Sequence, residues 1–258
     1  MTNEQHQLMW HLFYTESLLE KVADAIAVED RCECPICKSK FRVYLPFGNG
    51  FWSNAVGIGL RPNARCPKCG SLERHRALYY LLQHMDWHRE GMRVLHFAPE
   101  PIFNKLFSSF KDIDYWPVDL NPNMRGVKKA VDITNITFDD DSFDLIMCTH
   151  VLEHIPDEKK ALSELHRVLK PKTGIAFLNV PMFNMPKMLE KPEYNTPELR
   201  LKYYGQEDHV RAYGLDYPQH LREAGFDVQI FKMQGLDEKL LKRYGLDRNE
   251  KIFWCRKE

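Results

Sequence analysis

The sequence lacks a surplus of charge of either sign, a long apolar run and any low-complexity tract, and each absence removes a class of function. Lysine plus arginine and aspartate plus glutamate both number 36, so no global positive field gathers a nucleic-acid backbone, and the default partner is a small molecule. No stretch approaches the roughly eighteen uninterrupted apolar residues of a membrane span. The first residues show no basic start followed by an apolar run, as a secretory signal would. The expected location is the cytoplasm, with no membrane partner.

What is present is the balance of a globular protein: 258 residues, 44% apolar and 28% charged. That length accommodates one α/β domain with a sizeable core and one small accessory unit. Over 1–30, Leu8, Leu12, Leu19, Val22 and Ile26 fall near one helical face, predicting one or two amphipathic helices. Over 31–71 the pattern breaks into short pieces punctuated by Gly48, Gly50, Gly57, Gly59 and Pro62. Such a stretch needs a staple to fold.

Four of the seven cysteines supply one. Cys34-Pro-Ile-Cys37 and Cys66-Pro-Lys-Cys69 are paired knuckles 28 residues apart, a spacing that suits a tetrahedral structural zinc with no open position. Buried free thiols or a redox pair are the alternatives. Cys32 stands close enough to compete as a ligand, while Cys148 and Cys255 fall in predicted strands and read as core. Directly after the last knuckle, Ser71-Leu-Glu-Arg-His-Arg76 has two readings. Either Ser71 caps a helix whose basic residues are solvated, or the zinc module holds Arg74, His75 and Arg76 against a ligand.

A linking helix over 72–90 leads into a region, 91–258, where apolar strands alternate with helices, the mark of a mainly parallel sheet. Strands are predicted over 93–98, 114–118, 129–133, 143–149, 174–180, 227–233 and 251–256. A helix over 157–170 carries Ala161, Leu162, Leu165, Val168 and Leu169 on one side and ends at Pro171. The segment 181–216 is too long for a plain connector and reads as a lid or substrate loop.

Several pieces of this region stand in a telling order. Arg93-Val-Leu-His-Phe-Ala-Pro-Glu100 is a strand running into a helix. Asp119 closes the second strand about twenty residues on, Asp132-Ile133 closes the third, and Asp140 to Pro156 spans a fourth strand and the turn Thr149-His-Val-Leu-Glu-His154. Together with Leu165 to Gly174 they resemble class I S-adenosylmethionine-dependent methyltransferases of the type 11-like group. The resemblance implies an α/β, Rossmann-like sheet of seven strands with the last antiparallel, and an enzyme that uses S-adenosylmethionine and releases S-adenosylhomocysteine. It places Phe97, Ala98, Pro99 and Glu100 at the cofactor turn and Asp119 with Leu120 at the ribose. Asp132 and Ile133 then fall at the adenine, and Thr149 and His150 beside the methionine half. No glycine occurs from Arg93 through Met124, although the family's turn is usually glycine-rich because backbone must approach the cofactor closely. Taken alone, a strand-end aspartate is more often a turn residue, and Glu153 with His154 could simply cap the next helix.

Methyl transfer is an in-line displacement that needs an aligned acceptor and, where the acceptor carries a proton, a base. Tyr204-Gly-Gln-Glu-Asp-His-Val-Arg-Ala-Tyr-Gly214 concentrates the groups for it: His209 as base, Arg211 as anion clamp, and Glu207 or Asp208 to orient either; His154, from the turn after the fourth strand, joins the catalytic candidates. A solvated turn of mutually paired charges is the bland alternative. A small polar metabolite or sugar is the expected acceptor. The other readings are RNA or protein docked through the zinc module, and a non-catalytic scaffold.

Overall fold

The structure is a computed structural model and describes residues 31–48 and 60–258. The helices expected over 1–30 lie outside the described residues. The chain forms two compact units, one containing 31–48, 60–84 and 233–250 and the other 85–232 and 251–258.

In the first unit, β1 (Cys32–Glu33) pairs antiparallel with β2 (Lys40–Phe41), and β3 (Leu45–Phe47) with β4 (Arg61–Arg65). Such short ribbons bury little, and around the cysteines the buried set is Cys34, Phe41, Tyr44 and Cys66. Helix α1 (Glu73–Gln83) adds Ala77, Leu78, Leu81 and Leu82 as its buried stripe. Ser71 is not its cap, contrary to one expectation. Leu72 occupies that position, its N–H donating to His75 Nδ1 at 3.1 Å. The Ser71 hydroxyl instead lies 3.4 Å from Cys34 Sγ and 3.2 Å from Cys69 Sγ.

The second unit is built on β5 (Arg93–Phe97), β6 (Asp114–Asp119), β7 (Lys129–Ala130), β8 (Leu145–Thr149), β9 (Ile175–Asn179), β10 (Phe226–Lys232) and β11 (Lys251–Lys257). They form one sheet in the order β7-β6-β5-β8-β9-β11-β10. Strand β11 runs antiparallel to both its neighbours, and the pairs from β7 to β9 are parallel. This is the α/β Rossmann-like sheet of seven strands with the last antiparallel. Every residue of β8 and β9 is buried, as apolar strands covered on both faces must be. The helices are α2 (Pro101–Ser109), α3 (Glu158–Val168), α4 (Pro197–Tyr204) and α5 (Tyr217–Glu223). Asp157 caps α3 by accepting the Lys160 N–H at 3.0 Å, and Ala161, Leu162, Leu165 and Val168 form its buried stripe. Cys148 and Cys255 are fully buried in the core.

The third strand is shorter than expected, because Asp132 leaves the ladder after Ala130 and bridges back to Asn135. The segment 181–216 is more structured than a lid loop. It folds on itself through bridges Met182 to Tyr213 and Leu189 to Ala212, contains α4 capped by Thr196, and buries Tyr204, His209, Arg211 and Tyr213. Another departure lies between β10 and β11. Residues 233–250, read as part of the sheet domain, belong to the first unit and carry α6 (Glu238–Tyr244), capped by Asp237 and closed by Gly245 at φ +57°. A Cβ at Gly245 would sit 2.4 Å from the Tyr44 ring. No helix among the described residues is long and apolar enough to cross a membrane.

Candidate cofactor crevice, polar cluster and cysteine centre

The register of the parallel strands brings the expected cofactor residues to one edge. Phe97 is level with Val118 and with Cys148, and Asp119 with Ala130. The segments that leave these strands, Ala98 to Glu100, Leu120, Asp132-Ile133 and His150, therefore emerge together at the carboxyl ends, where open α/β sheets bind ligands. Ala98 makes the turn at φ +44°, a left-handed conformation that costs a residue with a Cβ about 1–2 kcal/mol. Its N–H donates to the Val118 carbonyl at 2.9 Å. The chain thus achieves without glycine the backbone shape that glycine ordinarily supplies.

Asp119 and Asp132 make parallel use of one oxygen each. Asp119 Oδ1 accepts the Asn121 N–H at 2.8 Å, and Asp132 Oδ1 accepts both the N–H and the hydroxyl of Thr134 at 2.8 Å. Both are turn residues, yet Oδ2 of each has no partner among the described residues. Phe97 and Ile133, at 3% and 4% exposure, are built into the core, whereas Leu120 stands 74% exposed. Beside half-buried Pro99, Glu100 is held firmly. His96 Nε2 meets its Oε2 at 2.8 Å, Thr149 Oγ1 donates to its Oε1, and His96 Nδ1 meets the Tyr115 hydroxyl at 2.8 Å. Burial pushes the Tyr115 phenol up, so it stays protonated.

After β8 a 3-10 turn, Leu152–His154, presents a second group. Glu153 and His154 do not cap α3, since Asp157 does. His150 Nδ1 lies 3.5 Å from Glu153 Oε1, and His154 Nδ1 3.2 Å from Asp208 Oδ2. The rings of His154 and His209 meet edge to face with centroids 4.7 Å apart. His209 Nδ1 lies 3.0 Å from the Tyr204 carbonyl. His209 Nε2 and Glu153 Oε2 are buried without a hydrogen-bond partner among the described residues. Burial holds His209 below the usual histidine range. Burial also opposes ionisation of Glu153, but His150 and the other two imidazoles outweigh it and hold the carboxyl low.

Arg211 is not an outward clamp. It is 1% exposed, its Nε donates to Glu190 at 2.7 Å, and its other nitrogens donate to the carbonyls of Leu152, Ile155 and Pro156. The guanidinium ties down the 3-10 turn because buried carbonyls at a turn's end need donors. Glu207 is exposed and takes no part in the cluster. Arg76 offers no outward charge either: it is fully buried and donates to the carbonyls of Ala64, Ser71, Tyr244 and Gly245. Arg74 is half-buried and His75 buried, so the run Arg74 to Arg76 is not an exposed basic patch.

The cysteines converge. Cys34 Sγ lies 3.6 Å from Cys69 Sγ and Cys37 Sγ 3.8 Å from Cys66 Sγ, and all four sulfurs lie within 4.8 Å of one another. Both knuckles repeat one backbone pattern. Cys34 N–H donates to the Ser39 carbonyl as Cys66 N–H does to that of Ser71, and Lys38 and Gly70 donate back to Cys34 and Cys66. Lys38 and Gly70 carry the matching left-handed φ of +61° and +72°. Cys32 stays outside, its thiol directed at the Arg42 and Lys242 carbonyls.

Sequence reasoning overlooked the pairing of His96 with Glu100, although a spacing of four across a strand-to-helix turn was visible. It also missed the anchoring of Arg76 and the orphaned atoms of Glu153 and His209.

Residues 102–177 match the family described as methyltransferase domain. Among curated proteins, an uncharacterized protein of Methanocaldococcus jannaschii is 29% identical over 104 residues, covering 35% of this chain and 46% of that protein. Demethylmenaquinone methyltransferase of Staphylococcus epidermidis is 40% identical over 55 residues, covering 21% of this chain and 23% of that enzyme. The chain thus spans less than half the length of these relatives. Among solved structures, phosphoethanolamine N-methyltransferase 2 of Haemonchus contortus in complex with S-adenosyl-L-methionine has a TM-score of 0.48 at 18% identity, covering 69% of this chain and 51% of that one.

Proposed function

We propose that the protein transfers the methyl group of S-adenosylmethionine to a small polar acceptor. The observation that carries this is the pair Asp119 and Asp132. Asp119 ends one parallel strand and Asp132 follows the end of its neighbour by two residues, within a stretch that matches a methyltransferase domain, and each keeps one carboxylate oxygen without a partner among the described residues. Such oxygens suit the two hydroxyls of a ribose and the amino edge of adenine. Leu120, left open, suits the apolar face of the nucleoside. The donor, when bound, supplies an electrophilic methyl on a sulfonium. This chain's residues then bind and orient. Glu100, fixed by His96 and Thr149, presents negative charge at the turn, and the Ala98 backbone allows close approach. Of the expected catalytic set, His154 is the histidine that solvent and an acceptor can reach, its side chain being 32% exposed.

A small acceptor fits the balanced charge and the inward turn of Arg76, which removes the basic feature that spoke for RNA. The four thiols suit a structural zinc. Zn–S bonds of about 2.3 Å in a tetrahedron put sulfurs about 3.8 Å apart, close to the two approaches of 3.6 and 3.8 Å observed. Reduced thiols of this kind suit a cytoplasmic setting.

Calorimetry with S-adenosylhomocysteine tests the donor site, with micromolar binding expected and no heat at millimolar ligand counting against it. Incubation with methyl-labelled S-adenosylmethionine and size-fractionated cell extract tests the acceptor. Label in the low-mass fraction supports the reading, and label in RNA or protein overturns that part of it.

A further inference from the structure

We propose that Glu153, His154 and His209 form a binding site for a divalent transition-metal ion, separate from the four-cysteine centre. One potential ligand atom from each lies within 4.8 Å of the others. Small adjustments of the side chains bring such atoms onto one ion, whose N and O ligands at about 2.1 Å stand about 3.4 Å apart in a tetrahedron.

The argument rests on which atoms are already used. His209 Nδ1 faces the Tyr204 carbonyl and His154 Nδ1 faces the Asp208 carboxylate. Both partners only accept, so both Nδ1 atoms carry the proton. In the neutral imidazole each Nε2 is then a bare lone pair, the atom a metal takes, with an oxygen on the far side of the ring fixing tautomer and orientation. On His209 that lone pair is buried and unpartnered among the described residues, and so is Oε2 of Glu153; both residues are 1% exposed.

Leaving two buried polar atoms unmatched in one place is unfavourable, the more so for a charged carboxylate. A cation between them satisfies both at once and offsets the carboxylate's charge. The geometry is held from outside the cluster, because Arg211 binds the carbonyls of Leu152 and Ile155 on either side of the turn, and Val210 N–H donates to the Glu153 carbonyl at 2.8 Å.

Two imidazoles and one carboxylate favour zinc, cobalt, nickel or ferrous iron over magnesium or calcium, which prefer all-oxygen shells. Three protein ligands leave a position open, and His154 is the ligand through which the site meets solvent.

The test is a Co2+ titration of the full chain already loaded with zinc at its cysteines, read in the visible region. One equivalent with the d–d bands of nitrogen and oxygen ligation is expected. His154→Gln, at a partly exposed position, and Glu153→Gln should each weaken that binding at least about tenfold while keeping the circular dichroism and melting profile of the parent. No visible-band cobalt in the parent, bands that report only sulfur-to-cobalt charge transfer, or an unchanged titration in both variants would overturn the proposal.

Discussion

Arg76 Nη2 donates to the carbonyl of Gly245 at 2.6 Å, joining the helix after the second cysteine knuckle to a turn 169 residues further along the chain. The same guanidinium stacks over the Tyr44 ring, 4.0 Å from its centroid. One buried cation thus gathers the knuckle, the ribbon and the segment between the last two strands. Hydrogen bonds from a charged donor contribute about 1.5–3 kcal/mol each, and removing the donor strands its carbonyl acceptors. Arg76→Ala should therefore lower stability by at least about 3 kcal/mol, measured by urea unfolding. Arg76→Lys should recover less than half of that, since a single ammonium cannot reach four carbonyls. Near-normal stability of both variants would show that the anchor is dispensable.

Removal of metal from the cysteine centre gives a second expectation. The purified chain should release zinc to a strong chelator, and only then should Cys34, Cys37, Cys66 and Cys69 react with a thiol reagent. Cys148 and Cys255, fully buried, should stay protected until denaturant is added. Four thiols that react readily before chelation would exclude a loaded centre.

The pair His220 and Glu158 sets a pH dependence. His220 Nδ1 lies 3.1 Å from Glu158 Oε2 and its Nε2 lies 3.7 Å from Asp216. The hydrogen bond with Glu158 is the main reason His220 is held above the usual histidine range. A histidine raised in the fold stabilises it fully below the unfolded value of about 6.5, and that contribution is lost as pH rises through the folded value. The urea midpoint should therefore fall from pH 6 to pH 8 more steeply in the parent than in His220→Gln. Equal slopes would mean that the pair contributes nothing.

Much of this fold was legible because local rules and tertiary context agree. The stripe on α3 and the buried runs of β8 and β9 mark themselves by periodicity, and the doubled Cys-x-x-Cys marks itself by spacing. Where the reading missed, distant contacts decide. Arg211 and Arg76 look like ligand-binding cations in a linear chain, but each is turned inward by carbonyls that no sequence window contains. Residues 233–250 read as part of the sheet domain because nothing local says which unit a capped helix will join. The turn at Ala98 shows the converse: the missing glycine suggested an altered site, yet the backbone there is left-handed all the same.

The most direct measurement is the structure of the complex with S-adenosylhomocysteine. The ribose hydroxyls should lie on the free oxygen of Asp119 and the adenine edge near Asp132. Asp119→Ala should weaken binding by about ten- to a hundredfold, in keeping with the loss of charge-assisted hydrogen bonds. A ligand bound elsewhere, a crevice closed by side chains, or full affinity in Asp119→Ala would contradict the account.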